Sequence, residues 1–228
     1  MLLLMTTSVS VAYAQKTETL KIDTLICSDQ FYKLDLTDNK VRTALVGAEN
    51  YIKAIIGENY LKNFRFDYCE SRQSGIQRTS KNINQLERLG QDTCYEFQYY
   101  AIDKSDTIGY FNLFVDKNGQ PIKNDSGSDL YNHPELIIGF KKQFDKLFNF
   151  TYTDALTLGK QKGFWAKPFL QCEIENNIIL TKTGNVFIKI KYLWSFFQIW
   201  DGGHTAILEI NAETGKIEKE SYIPRMPG

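Results

Sequence analysis

Tyr192-Leu-Trp194-Ser-Phe196-Phe197-Gln-Ile199-Trp200 is apolar on both faces of an extended chain. Alternation puts Tyr192, Trp194, Phe196 and Trp200 on one face and Leu193, Phe197 and Ile199 on the other. A central strand covered on both sides accounts for this pattern. A module of one helix on one sheet covers only one face, and the other is then exposed or docked. On that second reading Tyr192, Trp194, Phe196 and Trp200, joined by Trp165, form a partner-binding surface. The choice between the two decides what kind of fold this is.

The strands around this stretch are legible. Asp201-Gly202-Gly203 is a hairpin turn, because Gly and Asp tolerate positive φ, and it leads into Thr205–Asn211. Upstream, Phe169–Glu175 and Ile178–Thr181 read as two strands, and 153–162 as a short helix capped by Thr153 and stopped by Gly163. Pro134 fits the first turn of another helix, with Asn132 or His133 before it. Residues 123–132 are polar and rich in turn formers, so a domain boundary is expected there.

The first half repeats the scheme. Val41, Ala44, Leu45, Ala48, Ile52, Ile55 and Ile56 recur at helical spacing within 40–63. Thr37 or Asp38 caps that helix, and Gly57 breaks or bends it near its end. Phe64–Cys69, Thr93–Ala101 and Ile108–Asp116 are strands, the last two forming a hairpin through the polar loop 102–107. Leu20–Ile26 is a leading strand, and Ser80–Leu89 a further short helix.

The 228 residues carry 27 basic and 27 acidic side chains, a formal net charge of zero. No basic field is present to hold nucleic acid or an anionic membrane. Residues 1–14 (MLLLMTTSVSVAYA) are uncharged and end in a small-x-small pattern, which reads as a signal peptide. Export to a periplasmic or extracellular space follows, with no transmembrane segment in the mature chain. Export permits disulfides among Cys27, Cys69, Cys94 and Cys172. Alternation puts Cys69 and Cys94 on the same side of two strands, favouring a Cys69–Cys94 bridge over two separate thiols. Cys172 shares a face with Leu170 and Ile174 and reads as a small buried hydrophobe.

Catalytic signatures are lacking. His133 and His204 are the only histidines, no HExxH or CxxC spacing occurs, and there is no Gly-x-Ser-x-Gly elbow. Without a Walker loop or GxGxxG there is no phosphate cradle. Asp125–Asp129 lacks the Gly and Glu of a calcium loop. No metal and no cofactor is therefore expected. Glu96, Glu173 and Glu209 lie on strands, where a pair of carboxylates facing one cleft would support hydrolysis.

Two segments carry a family resemblance. Tyr152-Thr-Asp-Ala-Leu-Thr-Leu-Gly-Lys-Gln-Lys-Gly163-Phe164 resembles the opening helix of a PepSY module. Ala206-Ile-Leu-Glu-Ile-Asn-Ala-Glu-Thr-Gly-Lys-Ile217 resembles its closing strand and Thr-Gly-Lys turn. Phe111–Ile122 resembles that closing segment in turn, so the likeness covers 151–222 well and 40–122 loosely. It implies a cystatin-like architecture, with helices packed on curved antiparallel sheets, and a non-catalytic family linked to peptidase propeptides and to secreted or membrane-attached binding proteins.

The expectation is an α+β chain of two similar helix-on-antiparallel-sheet units. A signal peptide would span 1–14, one unit 15–125 with its leading strand, and the second 126–228. It would bind a peptide, a protein or a second copy of itself, in a peptidase-inhibitory or assembly role. The competing expectation is a small-ligand-binding or hydrolytic enzyme in a cone-shaped α+β fold, with carboxylates and His204 around a pocket.

Overall fold

Asp38 starts the first helix: its carboxylate accepts from the Lys40 N–H at 2.8 Å, closing one of the open donors of the first turn. Helix α1 then runs Asn39–Ile56 and buries Val41, Ala44, Ala48, Ile52 and Ile56 along one stripe. Gly57, at φ 90°, ends it, and a 3₁₀ turn at Glu58–Asn63 completes the expected 40–63 segment. In this computed structural model residues 34–76, 92–122, 132–180, 186–200 and 203–223 are described. The signal segment, the leading strand, the helix expected at 80–89, Cys27 and the boundary region 123–131 lie outside them.

The chain is α+β. Strands β1 (Phe64–Ile76), β2 (Asp92–Asp103) and β3 (Asp106–Asp116) form an antiparallel meander. Helices α2 (Pro134–Phe144) and α3 (Tyr152–Gln161) follow. Strands β4 (Phe169–Leu180), β5 (Val186–Ile199), β6 (Thr205–Asn211) and β7 (Ile217–Ile223) form a second antiparallel meander. The expected strands 169–175 and 178–181 are one strand, with a register shift between Glu175 and Ile179. Strand β7 was not anticipated as a separate element. The cap of α3 is Thr151 and not Thr153: the Thr151 hydroxyl and the Asp154 carboxylate bond each other's backbone in a capping box. His133 stands before α2 in the left-handed region, at φ 44°.

One hydrophobic cluster runs from Val41 and Ile52 on α1, through Phe111 and Phe140, to Trp194 and Leu208. Phe140 of α2 sits at the joint between the sheets. Its ring lies beside Phe64 and Phe111, with centroids 6.0 and 5.9 Å away. It also fills the space over Gly109, where a Cβ would come within 2.6 Å of it. Strands β3 and β4 meet side by side without ladder pairing, joined by Lys167–Asp106 at 2.5 Å and by the Tyr110 and Phe169 rings at 6.1 Å. The core thus crosses the position at which two separate units were expected.

The cysteines do not pair as expected. Ser74 stands opposite Cys94, because a bulge between Asp67 and Arg72 shifts the register past Cys69. Cys94 is a buried thiol outside any disulfide, and so is the half-buried Cys172. Cys69 is disulfide-bonded, and its partner is therefore neither of them. Burial pushes the Cys172 thiol up to about 11, with the nearby Glu135 carboxylate adding to it.

Candidate functional site: the uncovered end of the four-stranded sheet

The register of β5 with β6 decides which face of 192–200 is buried. Phe196 pairs with Leu208 and Trp194 with Ile210, while Phe197 pairs with Ile207 and Ile199 with Thr205. Ala206, Leu208 and Ile210 are fully buried, so the face they share with Tyr192, Trp194 and Phe196 is the inner one. Both helices cover it. Tyr192 packs under α2 and donates to the Glu135 carbonyl at 3.1 Å. The Trp194 indole donates to the Phe150 carbonyl at 2.9 Å and meets Tyr152 edge-on at 5.7 Å. Phe196 rests on Phe164 at 5.6 Å. Gly139 and Gly159 permit this closeness, since a Cβ on either would fall within 2.5 Å of the Tyr192 or Phe196 ring. Tyr192, Trp194 and Phe196 are core residues and not a partner surface. The expectation failed because the helices lie on this face of the strand and not on the opposite one.

The helix layer is shorter than the sheet. The ten residues of α3 rise only about 15 Å, whereas the fourteen of β5 extend over about 46 Å. Lys162, just past α3, bonds Glu220 of β7 at 3.0 Å; beyond that tie Gln198 and Ala206 are the last buried residues of the inner face among the described residues. On the outer face Phe197 (59% exposed), Ile199 and Ile223 face solvent. On the inner side Trp200 (40% exposed) and Tyr222 do the same. Trp165 (69% exposed) is held at this end by its backbone N–H, which donates to Gln198 Oε1 at 2.8 Å. The opposite end of the outer face differs, since Lys191 lies between Glu173 and Glu218 there.

Trp200, His204, Tyr222 and Ile223 line a depression of about 400 Å³. The Trp200 N–H donates to the His204 carbonyl at 2.8 Å and closes the β5–β6 turn. Gln198, buried between Trp165 and the strands, has an amide nitrogen with no hydrogen-bond partner among the described residues. Trp165 and Trp200, both named from sequence, therefore sit at one apolar end. Phe197, Ile199, Tyr222 and Ile223 join them and were missed. The signal for Phe197 and Ile199 was the alternation of β6, whose outer residues Thr205, Glu209 and Asn211 are polar and whose one apolar outer residue, Ile207, stands opposite Phe197.

The strand carboxylates do not converge. Glu96 is buried between Arg72 Nε at 2.6 Å and Asn112 Nδ2 at 2.7 Å. Glu173 faces Lys191 and Glu209 faces Lys219. Among the described residues no group of three His, Cys, Asp or Glu could hold a metal ion, and no helix is long and apolar enough to cross a membrane. Comparisons with known families, with curated proteins and with solved structures find no match to this chain.

Proposed function

We propose that the protein is an exported, non-catalytic binding protein, PepSY-like in character, that recognises a peptide or protein partner through the uncovered end of its four-stranded sheet. One observation carries the reading. Among the described residues, the larger share of the exposed large apolar side chains gathers at this end, namely Trp165, Phe197, Ile199, Trp200, Tyr222 and Ile223. Exposed apolar area costs solubility and is retained where a partner covers it. Trp and Tyr at the centre of such a patch supply most of the affinity once desolvated. Strand β7, at the edge of its sheet, adds unpaired backbone groups beside the patch, which an extended segment pairs with readily.

Photo-crosslinking tests this. A benzophenone residue at position 197 should capture a discrete partner from the exported fraction, and the same probe at the equally exposed Leu147 should not. The capture should be lost in a Trp165→Ala, Trp200→Ala variant that keeps its circular dichroism. Equal labelling from both positions, or capture unaffected by the substitutions, contradicts the reading. A crosslinked dimer of this chain would make the partner a second copy.

A further inference from the structure

The joint between the two sheets carries a second concavity, next to the uncovered end but lined by other residues: Lys167 follows Trp165 by two positions and Phe169 pairs with Ser195, two residues from Phe197. Its floor is aromatic. Tyr100 and Tyr110 stand directly opposite each other on β2 and β3, on the outer face, and Phe169 of β4 meets Tyr110 edge-on, at 6.1 Å and 75°. The three rings form a row across three strands that only the docking of one sheet against the other completes. Tyr110 remains 53% exposed, so the fold does not use its face. Gln98, Ser105 and Thr107 rim the same space, whose volume is about 600 Å³, within the size range of small-molecule sites.

Of the residues that line it, Glu70 and Lys167 carry opposite charges. Lys167 is bound to Asp106, and Arg72 to Glu96. Asp67 accepts from the Cys69 N–H at 2.9 Å and also takes the Tyr100 hydroxyl. Glu70 lies on the rim. The lining itself holds one carboxylate and one ammonium, with no excess of either sign. Around the aromatic rings stand two hydroxyls, of Ser105 and Thr107, and the Gln98 amide, whose Nε2 also donates to Asp67 at 3.4 Å.

We infer that this joint binds an uncharged, hydroxyl-rich ligand of the carbohydrate class. The C–H face of a sugar ring lies against the electron-rich faces of Tyr100 and Tyr110. Its hydroxyls meet Gln98, Ser105 and Thr107, each of which serves either partner of a hydrogen bond. The site needs both halves of the chain, since Phe169 and Lys167 come from the second and the rest from the first.

Titration of the full chain with cellobiose, maltose and diacetylchitobiose, followed by amide chemical shifts, tests it. At least one disaccharide should give saturable shifts centred on Gln98, Tyr100, Tyr110 and Phe169. Tyr110→Ala should weaken that binding about tenfold in a chain that keeps its circular dichroism, and Tyr110→Phe, which keeps the ring against Phe169, should retain most of it. Thr107→Val should weaken it by a smaller factor. No saturable shift with any of the three, binding untouched by Tyr110→Ala, or a tighter response to putrescine or acetate at the same residues would overturn the inference.

Discussion

The two halves follow one recipe and end differently. In each, a helix precedes an antiparallel meander whose last turn is held by a single carboxylate or amide. Asp116 Oδ1 accepts from the backbone of Asn118 and Gln120, both at 2.8 Å. Asn211 Oδ1 accepts from Glu213 and Thr214, at 2.9 and 3.0 Å. Each turn closes on a glycine in the left-handed region, Gly119 at φ 78° and Gly215 at φ 72°. After Gly119 comes Gln120-Pro121, and the described residues there make one isolated bridge, Val115 to Pro121. After Gly215 comes Lys216-Ile217, and a seven-residue strand follows. Proline has no N–H to give to a ladder. A fourth strand in the first half would lie beside β3, and β4 of the second half occupies part of that side. The difference teaches that where a proline follows the turn, the free side of β3 meets the neighbouring sheet. The other runs on, and its sheet outreaches its helices.

The sharpest test of the covered and uncovered ends of β5 is a pair of truncations. Trp194→Ala should cost about 3–5 kcal/mol in equilibrium urea unfolding, because it empties a fully buried site and strands the Phe150 carbonyl. Phe197→Ala, three residues on, should cost less than about 1 kcal/mol. Similar losses at the two positions would mean that both faces are core.

The turns come next. Gly47→Ala should destabilise by about 1–3 kcal/mol, since its Cβ would fall 2.1 Å from the Gly119 carbonyl oxygen, a backbone atom that cannot yield. Gly215→Ala should cost about 1 kcal/mol from its positive φ, plus the displacement of the Phe150 ring, 2.7 Å from the added carbon. Thermal unfolding of the two variants checks the order. A larger loss at Gly215 would show that the two turns are not seated alike.

A smaller effect belongs to the second half alone. The Thr151 hydroxyl and N–H hold the Asp154 carboxyl below its ordinary value. A carboxylate lowered in this way stabilises fully above its unfolded range, and the contribution fades as pH falls through the lowered value. Thr151→Ala should therefore cost about 1 kcal/mol near neutrality and less as the pH drops below the usual aspartate range. A pH-independent difference in unfolding midpoint would remove the capping box from the account.

How far these features were legible follows from the same physics. Helix α1 and the β2–β3 hairpin showed because their apolar spacing has one buried side. The α+β class followed from that alternation of periods. Trp165 and Trp200 were singled out, yet the strand between them was turned the wrong way, because 192–200 is apolar on both faces and local pattern cannot orient it. Orientation comes from the Phe196–Leu208 pairing across the turn, together with two helix glycines that admit rings. Cys69 misled for a related reason: alternation cannot foresee a bulge. The joint with its three aromatic rings was invisible, since it exists only between strands that do not pair.

The central claim is that this sheet has a sealed aromatic interior and an open aromatic end. Collisional quenching by acrylamide in three single-tryptophan variants, the other two indoles replaced by phenylalanine, tests it most directly. Trp194, fully buried, should resist the quencher, while Trp165 and Trp200 should be quenched readily in the folded chain. Trp165 and Trp200 as shielded as Trp194 would contradict the account.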